Sequence, residues 1–186
     1  PRDVRKAAEV LLKSENLVIH AGQGVNFAEA WEELREFAEL IQAPVMTTMQ
    51  GKGALPESHP LALGSSSVAT TKPISHFLQK CDTIFGIGSS LTRTNYGKTL
   101  PDGKTIIHST NEPSDINKDY AAQHALVGDS KLVLQALIDE LKGAQSLKNK
   151  SKGEVAEEVQ TIKQEWLNEW APQLNSDESP INQYRV

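Results

Sequence analysis

Two glycines close to the start of this 186-residue chain are the first residues whose type and spacing could do chemistry. Gly22 and Gly24 follow an apolar run, and a helical pattern begins directly after them. Glycines allow a sharp turn there, and the amides at the start of a helix favour an anion such as a phosphate. A dinucleotide fingerprint also needs a third glycine, where Phe27 stands, and an acidic ribose ligand, where the next apolar run has Thr47 and Thr48. NAD binding is therefore disfavoured, and two interpretations stay open, a weak anion site and a tight turn without a ligand.

A polar loop after a later apolar run is the second candidate site. The run at residues 82–88 ends in a second Gly-x-Gly pair, Gly86 and Gly88. The residues that follow offer hydroxyl groups and one guanidinium, on Ser89, Ser90, Thr92, Arg93 and Thr94. Such groups suit phosphate or ribose contacts at the carboxyl edge of a parallel sheet, but a solvated polar loop explains them equally well.

The other reactive side chains form no pattern typical of a catalytic or metal site. The five histidines lack the short spacing to other ligands that metal sites show, and we interpret His20 as a hydrogen-bonded packing residue. Cys81 is the only cysteine, which excludes an intrachain disulfide and favours an inert core thiol. Asp129 and Ser130 follow Gly128 and directly precede an apolar helical pattern, so we interpret them as a helix N-cap. The sequence thus predicts neither catalytic residues nor metal ligands.

Apolar runs and helical patterns alternate along the chain, which is typical of a parallel sheet with helices on both faces. Five runs predict strands, at residues 16–22, 44–48, 82–88, 104–110 and 124–129. Helical spacing predicts one helix from Phe27 to Ile41, whereas residues 50–64, rich in Gly and Pro, are predicted to be mostly loop. We therefore predict a three-layer α/β/α domain over residues 1–143, with a mainly parallel, roughly six-stranded Rossmann-like sheet.

Residues 144–186 have a different character. The segment 143–153 is polar and predicted to be a mobile linker, and a helix follows it. One side of this helix carries Val155, Val159, Ile162, Trp166 and Trp170. Tryptophans beyond the core need a covering surface, and we expect another domain or chain to provide it.

The composition excludes several function classes. A formal net charge of -5 and a pI near 5.6 disfavour a nucleic-acid partner, which would normally select a basic surface. No apolar run reaches the roughly 18 residues that a membrane span needs. With one cysteine and no secretory leader before the first helix, a reducing, cytoplasmic location is expected. The start at Pro1 and the apolar residues near Val186 lead us to expect a piece of a longer polypeptide.

The order of these pieces resembles the central domain of thiamine-diphosphate-dependent enzymes, and the acetolactate synthase-like branch in particular. The similarity covers roughly Ala7 to Leu141, and its most specific part is the segment "TTMQGKGALPESHPLALG" at residues 47–64. "CDTIFGIGSSLTR" and "KTIIHSTNEPSDINKDY" continue it. The resemblance implies the middle third of a transferase or lyase that forms or cleaves a carbon–carbon bond beside a 2-oxo acid carbonyl.

In that family the catalytic glutamate belongs to the N-terminal domain. A Gly-Asp-Gly…Asn motif of the C-terminal domain holds Mg²⁺ and the thiamine diphosphate. Neither motif is found in this chain, so the resemblance implies that the chain alone binds neither cofactor. It also implies that its partners are the other two domains of the same polypeptide and further copies in a homo-oligomer.

The resemblance further implies a nucleotide cleft, because central domains of this family bind FAD, ADP or CoA in some members and nothing in others. The matching positions place the diphosphate at Gly22, Gln23 and Gly24, the flavin along Thr47, Thr48 and Met49, the ribose at Gly88, Ser89, Ser90 and Arg93, and the adenine beside Gly128 and Asp129. Ser90 stands where the flavin-binding pattern of the family commonly has an arginine, and Thr110 stands where it commonly has an acidic residue. Each lost charge-assisted hydrogen bond is worth about 1.5–3 kcal/mol, so we expect a weak or vestigial cleft.

Two hypotheses remain after these observations. In the first, the chain is a non-catalytic central domain that provides structure and subunit contacts. In the second, it is a free-standing FAD- or ADP-binding module with an electron-transfer or regulatory role.

Overall fold

The computed structural model describes residues 2–144 and 153–185, which contain a six-stranded sheet with every pair of neighbouring strands parallel. The strands are β1 (Leu17–Ala21), β2 (Val45–Thr47), β3 (Ala62–Ser65), β4 (Thr83–Ile87), β5 (Thr105–Thr110) and β6 (His124–Val127). Their order across the sheet is β3-β2-β1-β4-β5-β6, so the direction of winding reverses between β1 and β4. The central strands β1 and β4 are buried along their whole length, which is why their sequences are continuous apolar runs.

Helices cover both faces of this sheet, which confirms the predicted three-layer α/β/α architecture. They are α1 (Arg2–Lys13), α2 (Gln23–Phe27), α3 (Trp31–Ile41), α4 (Lys72–Lys80), α5 (Ser130–Lys142) and α6 (Glu154–Leu174), with a 3₁₀ turn at Pro113–Asp115. On one face α1, α3 and α5 cover Ile19 and Phe85, and the ring centroids of Phe37 and Phe85 lie 5.4 Å apart. On the other face α4 and the start of α6 cover Val18 and Ile84.

Residues 50–64 were expected to be mostly loop, but the strand β3 begins within this segment. Its first residue pairs with Val45 of β2, and the register then shifts before Met46 pairs with Gly64. Ala62 and Leu63 are buried, but the strand is short and follows a Gly- and Pro-rich loop. The apolar signal of the strand is therefore too brief to separate from the loop by periodicity.

The predicted helix from Phe27 to Ile41 is instead two helices, α2 and α3. The chain turns between them, with Glu29 in the left-handed region at a φ of 49° and the Ala30 amide donating to the Val25 carbonyl at 3.0 Å. Because of this break Phe27 does not share the buried face of α3. Its side chain, at the start of the predicted helix, is 80% exposed.

Helix α6 packs on its own domain, which partly corrects the expectation that another domain or chain covers it. Val159 is fully buried against the α4 face of the sheet, and Glu158 accepts hydrogen bonds from His76 and Lys80 at 2.8 and 2.7 Å. Farther along the helix, the Trp170 ring lies 6.4 Å from that of Trp166 and makes an edge-on contact at 5.0 Å with Tyr184, which follows the helix. Most of the predicted linker, residues 145–152, lies outside the described residues. Among the described helices, none combines the length and apolarity needed to cross a bilayer.

Candidate functional site

A cleft of about 680 Å³ opens at the carboxyl edge of the sheet, where the strand order reverses between β1 and β4. The turns that follow these two strands form its base, and the loops after β2, β4 and β5 contribute to its walls. Ligands of open parallel sheets usually bind at such a reversal, because the connections leave the sheet toward opposite faces there. The cleft is therefore the candidate functional site of this domain.

Most of the predicted site residues line this cleft. They are Gly22, Gln23, Gly24, Thr48, Met49, Gly88, Ser89, Ser90, Thr110 and Asp129. Thr47, Arg93 and Gly128 do not contribute to the lining. Thr47 is buried in β2, where its Oγ1 lies 3.0 Å from Ser65 Oγ, and the Gly128 amide donates to the Thr110 carbonyl at 2.9 Å.

The guanidinium of Arg93 has partners elsewhere. It lies 4.7 Å from the centroid of the Tyr120 ring and 3.9 Å from Asp102 Oδ1. The Arg93 amide donates to Asp119 Oδ2 at 2.8 Å, which holds the loop in this orientation. The cleft therefore does not contain the one guanidinium that the sequence suggested for it.

Few carboxylate, amine or imidazole side chains line the cleft in the described part of the chain. They are His20, Lys98, Asp115 and Asp129. Asp129 Oδ1 accepts hydrogen bonds from the Lys131 and Leu132 amides at 2.9 and 3.2 Å, which confirms it as the N-cap of α5. Ser130, predicted to share this capping position, is instead the first residue of the helix.

The two histidines near the base of the cleft are held in the neutral form. Burial, together with a smaller effect of the neighbouring His108, lowers the pKa of His20 to about 4. His20 Nε2 lies 3.4 Å from Ser66 Oγ, and its Nδ1 has no hydrogen-bond partner among the described residues. Burial also lowers the pKa of His108, whose Nε2 donates to the Ser89 carbonyl at 2.7 Å. Neutral imidazoles provide packing and hydrogen bonds, as the sequence suggested for His20, but no positive charge.

The glycine turns are shaped by contact with each other. The Gly22 amide donates to the Ile87 carbonyl at 2.9 Å, and the Gly24 amide donates to the Gly88 carbonyl at 2.8 Å. A Cβ on Gly22 would lie 2.2 Å from Gly88 O, and a Cβ on Gly24 would lie 2.7 Å from Gly88 Cα. The protein backbone alone thus requires glycine at both positions.

The cleft also contains residues that sequence reasoning missed. Phe27 and Tyr96, which are 80% and 81% exposed, stand at the cleft together with Lys98 and Asp115. Tyr96 and Lys98 continue the polar loop that follows Gly88, so extending that candidate site by a few residues would have found them. Phe27 gave no such signal, because its spacing fits a core position.

The remaining candidates for a reactive group are the Cys81 thiol and clusters of possible metal ligands. Cys81 is buried, its Sγ donates to the Leu78 carbonyl at 3.2 Å, and burial raises its thiol pKa to about 11. It is thus the inert core thiol that the sequence predicted. Within the described part of the chain, no three His, Cys, Asp or Glu side chains come together in a group able to hold a metal ion.

Comparison with known proteins identifies the family to which this chain belongs. The model of the family described as "Thiamine pyrophosphate enzyme, central domain" matches residues 4–137. The chain belongs to this family, as its resemblance indicated.

Within the family, the chain is similar to acetolactate synthase large subunits. It is 36% identical over 188 residues to a probable acetolactate synthase large subunit of Methanocaldococcus jannaschii, an alignment that covers 100% of this chain and 30% of that protein. The probable large subunit of Methanococcus aeolicus is 32% identical over 194 residues, with 100% and 32% covered. The large subunit of Buchnera aphidicola is 35% identical over 142 residues, with 75% and 25% covered. The chain thus spans about a third or less of the length of these relatives.

Proposed function

We propose that this chain is the non-catalytic central domain of a longer enzyme that uses thiamine diphosphate to join or cleave a carbon–carbon bond beside a 2-oxo acid carbonyl. The relatives named acetolactate synthase large subunits support this proposal, since the chain matches only part of each of them. Residues 1–143 would form the central domain, and residues 144–186 would lead from it to the cofactor-binding domain. Thiamine diphosphate and Mg²⁺ would then be held by the other domains.

The observation that carries the non-catalytic role is the state of the ionisable groups around the cleft. A general acid or base must reach the substrate and have a pKa near the working pH. His20 is buried with a pKa of about 4, and the carboxylate of Asp129 is bound to the amides that begin α5. The buried imidazole therefore does not take up a proton at neutral pH, and the carboxylate has a structural role as the cap of the helix.

A structural role for the domain is supported by the apolar side chains around the cleft. They are Phe27 at the end of α2 and, from three separate loops at the carboxyl edge of the sheet, Met49, Val68 and Tyr96, and each is more than half exposed. Apolar side chains grouped at one edge favour a contact surface for another domain or another subunit. Homo-oligomer formation by the complete enzyme would use such surfaces.

The test compares this chain alone with the longer polypeptide, both supplied with thiamine diphosphate, Mg²⁺ and pyruvate. We expect turnover by the longer polypeptide only. In that polypeptide His20→Gln should change kcat by less than about threefold, since a group outside the reaction contributes little to the barrier. Three results would contradict the proposal. They are turnover by the chain alone, a loss of kcat of a hundredfold or more in His20→Gln, and turnover by the longer polypeptide that does not depend on thiamine diphosphate.

A second candidate function is a free-standing FAD- or ADP-binding module with an electron-transfer or regulatory role. The position of the cleft at the reversal of the strand order favours it, because dinucleotides bind there in other proteins of this architecture. A purified chain with the visible absorbance bands of a flavin, or one that ADP stabilises against heat, would support this function. A colourless chain whose thermal stability ADP does not change would instead support the structural role.

A further inference from the structure

We infer that Gly22, Gly24 and Gly88 form a glycine lock, in which the turns after β1 and β4 hold each other, and that the cleft beside this lock excludes nucleotide diphosphates such as FAD, ADP and CoA. The lock concerns the cleft alone, so it goes beyond the proposed function and does not depend on the reaction of the parent enzyme. It argues against the second candidate function, the FAD- or ADP-binding module.

The close approach of the two turns is the first observation behind the lock. A Cβ on Gly24 would meet Gly88 Cα at 2.7 Å, and a Cβ on Gly88 would meet the Val25 nitrogen at 2.6 Å. Gly88 also adopts a φ of 60°, which glycine tolerates at little energetic cost. In a phosphate cradle, glycines leave room for a ligand, whereas here the partner turn occupies that room.

The backbone amides of the turns are the second observation. A diphosphate at a strand-to-helix turn binds to amides that have no partner within the protein. The amides of Gly22, Gly24 and Val25 already donate to the carbonyls of Ile87, Gly88 and Gly22. The first turn of α5 is likewise capped by the Asp129 carboxylate. A diphosphate bound to any of these amides would have to displace the hydrogen bond that the amide already makes.

The charge of the cleft is the third observation. Lys98 is the single basic side chain among the lining residues, and Asp115 and Asp129 carry the opposite charge. His20 and His108 are neutral at pH 7 because burial lowers the pKa of each. The residues therefore do not fit the diphosphate of FAD, ADP or CoA, since like charges at short range disfavour binding.

Replacing Gly24 by alanine distinguishes a glycine lock from a phosphate cradle, because the two interpretations predict opposite changes in the stability of the nucleotide-free protein. Gly24 lies inside α2, where alanine normally stabilises a helix relative to glycine. If the glycine served only a ligand, Gly24→Ala would leave the nucleotide-free protein unchanged or more stable. If it serves the lock, the overlap with Gly88 should lower Tm by about 5 °C or more. Gly143→Ala is the matched control, because a Cβ there meets nothing closer than 3.5 Å and the backbone is αR.

The experiment uses chain refolded from denaturant without nucleotide, so that no ligand carried through purification affects the result. Thermal unfolding of the unmodified chain, Gly24→Ala and Gly143→Ala is measured in parallel. A lower Tm or failure to fold in Gly24→Ala alone supports the lock, and an unchanged or higher Tm overturns it.

Titration of the unmodified chain tests the excluded ligands without any variant. FAD, ADP and CoA are each added up to about 1 mM, which corresponds to a binding free energy near −4 kcal/mol, and binding is followed by calorimetry. The absence of saturable binding supports the exclusion. Saturable binding of any of the three below that concentration overturns it.

Discussion

At the scale of single residues, burial determines the charge of His20 more than any neighbouring group does. The imidazole lies on the α4 face of β1, and His108 points to the same face two strands away, across Gly86. No carboxylate is close enough to favour the protonated form, so the pKa falls to about 4. The folded state therefore resists protonation of a side chain that the unfolded state protonates readily.

The stability of the chain should depend on pH through this histidine. Between pH 6.5 and about 4 the unfolded state binds a proton that folded His20 does not. The contribution of His20 to the free energy of unfolding is thus complete above pH 6.5 and is lost as the pH falls toward 4. The total loss is on the order of 3 kcal/mol. Urea unfolding at a series of pH values should show a shallower acid decline in His20→Gln than in the unmodified chain.

His124→Gln is the control for this prediction, because His124 lies on the edge strand β6 and is only half buried. It should keep the acid decline of the unmodified chain. Equal slopes for the unmodified chain and His20→Gln would show that His20 is accessible to protons in the folded state.

Single residues also show why the candidate site could be predicted only in part. The glycines and hydroxyl residues of the cleft stand directly after apolar runs, and the ends of parallel strands meet at one edge, so their approximate position follows from the sequence. The direction of a loop side chain does not follow. Arg93 turns to Asp102 in its own loop and to Tyr120 after the next strand, and the spacing of these residues in the sequence does not indicate either contact. Gly22 and Gly24 suggest a ligand in the sequence, but in the structure they contact Gly88.

At the scale of elements, α6 is fixed to the domain by a small number of contacts at its start. Val159 is the one fully buried side chain of this helix within the described residues, and Lys72 and Lys80 form ion pairs with Glu165 and Glu158. Exposed ion pairs contribute little to stability, so burial of Val159 should contribute most of the docking energy.

Val159→Ala should therefore destabilise α6 specifically. Removing its two methyl groups from a filled core costs about 1–3 kcal/mol. We expect faster proteolysis within residues 154–174 under native conditions, together with a lower urea midpoint. Leu167→Ala on the same helix is the control, since Leu167 is 42% exposed, and it should change stability by about 0.5 kcal/mol or less. Equal protease resistance of Val159→Ala and the unmodified chain would contradict this assignment.

Some boundaries of helices and strands could not be predicted from the sequence. The five long apolar runs were recognisable because each is buried on both faces or lies next to a clear turn. β3 was not recognisable, since its buried pair Ala62 and Leu63 is followed at once by Gly64 at a φ of 97°. The break between α2 and α3 depends on Glu29 in the left-handed region, and Glu has no preference for that conformation that a sequence could reveal.

At the scale of the whole molecule, one sheet joins two cores. The first core lies under α1, α3 and α5, the second under α4 and α6, and neighbouring residues of the strands β1 to β5 enter opposite cores. Val18 and Ile19 of β1 are an example of this alternation. Neither core can open without disturbing strands that the other needs.

Unfolding should consequently be a single cooperative transition. Tryptophan fluorescence reports on α3 through Trp31 and on α6 through Trp166 and Trp170, whereas circular dichroism reports on all helices. We expect the two signals to give the same urea midpoint. A fluorescence change at clearly lower urea would show that α6 leaves the domain before the sheet unfolds.

The contacts at the start of α6 have a mechanical consequence. The Gly153 amide and the side chains of Gln160 and Lys163 bond to Gln42, Pro60 and Glu57 in the first half of the chain. Glu158 binds His76 and Lys80 on α4, the helix that leads from β3 to β4. A pull or a twist applied to α6 is thus transmitted at once to α4, to the end of α3 and to the loop between β2 and β3. A change in the tilt of α6 therefore alters its contacts with all three of these segments together.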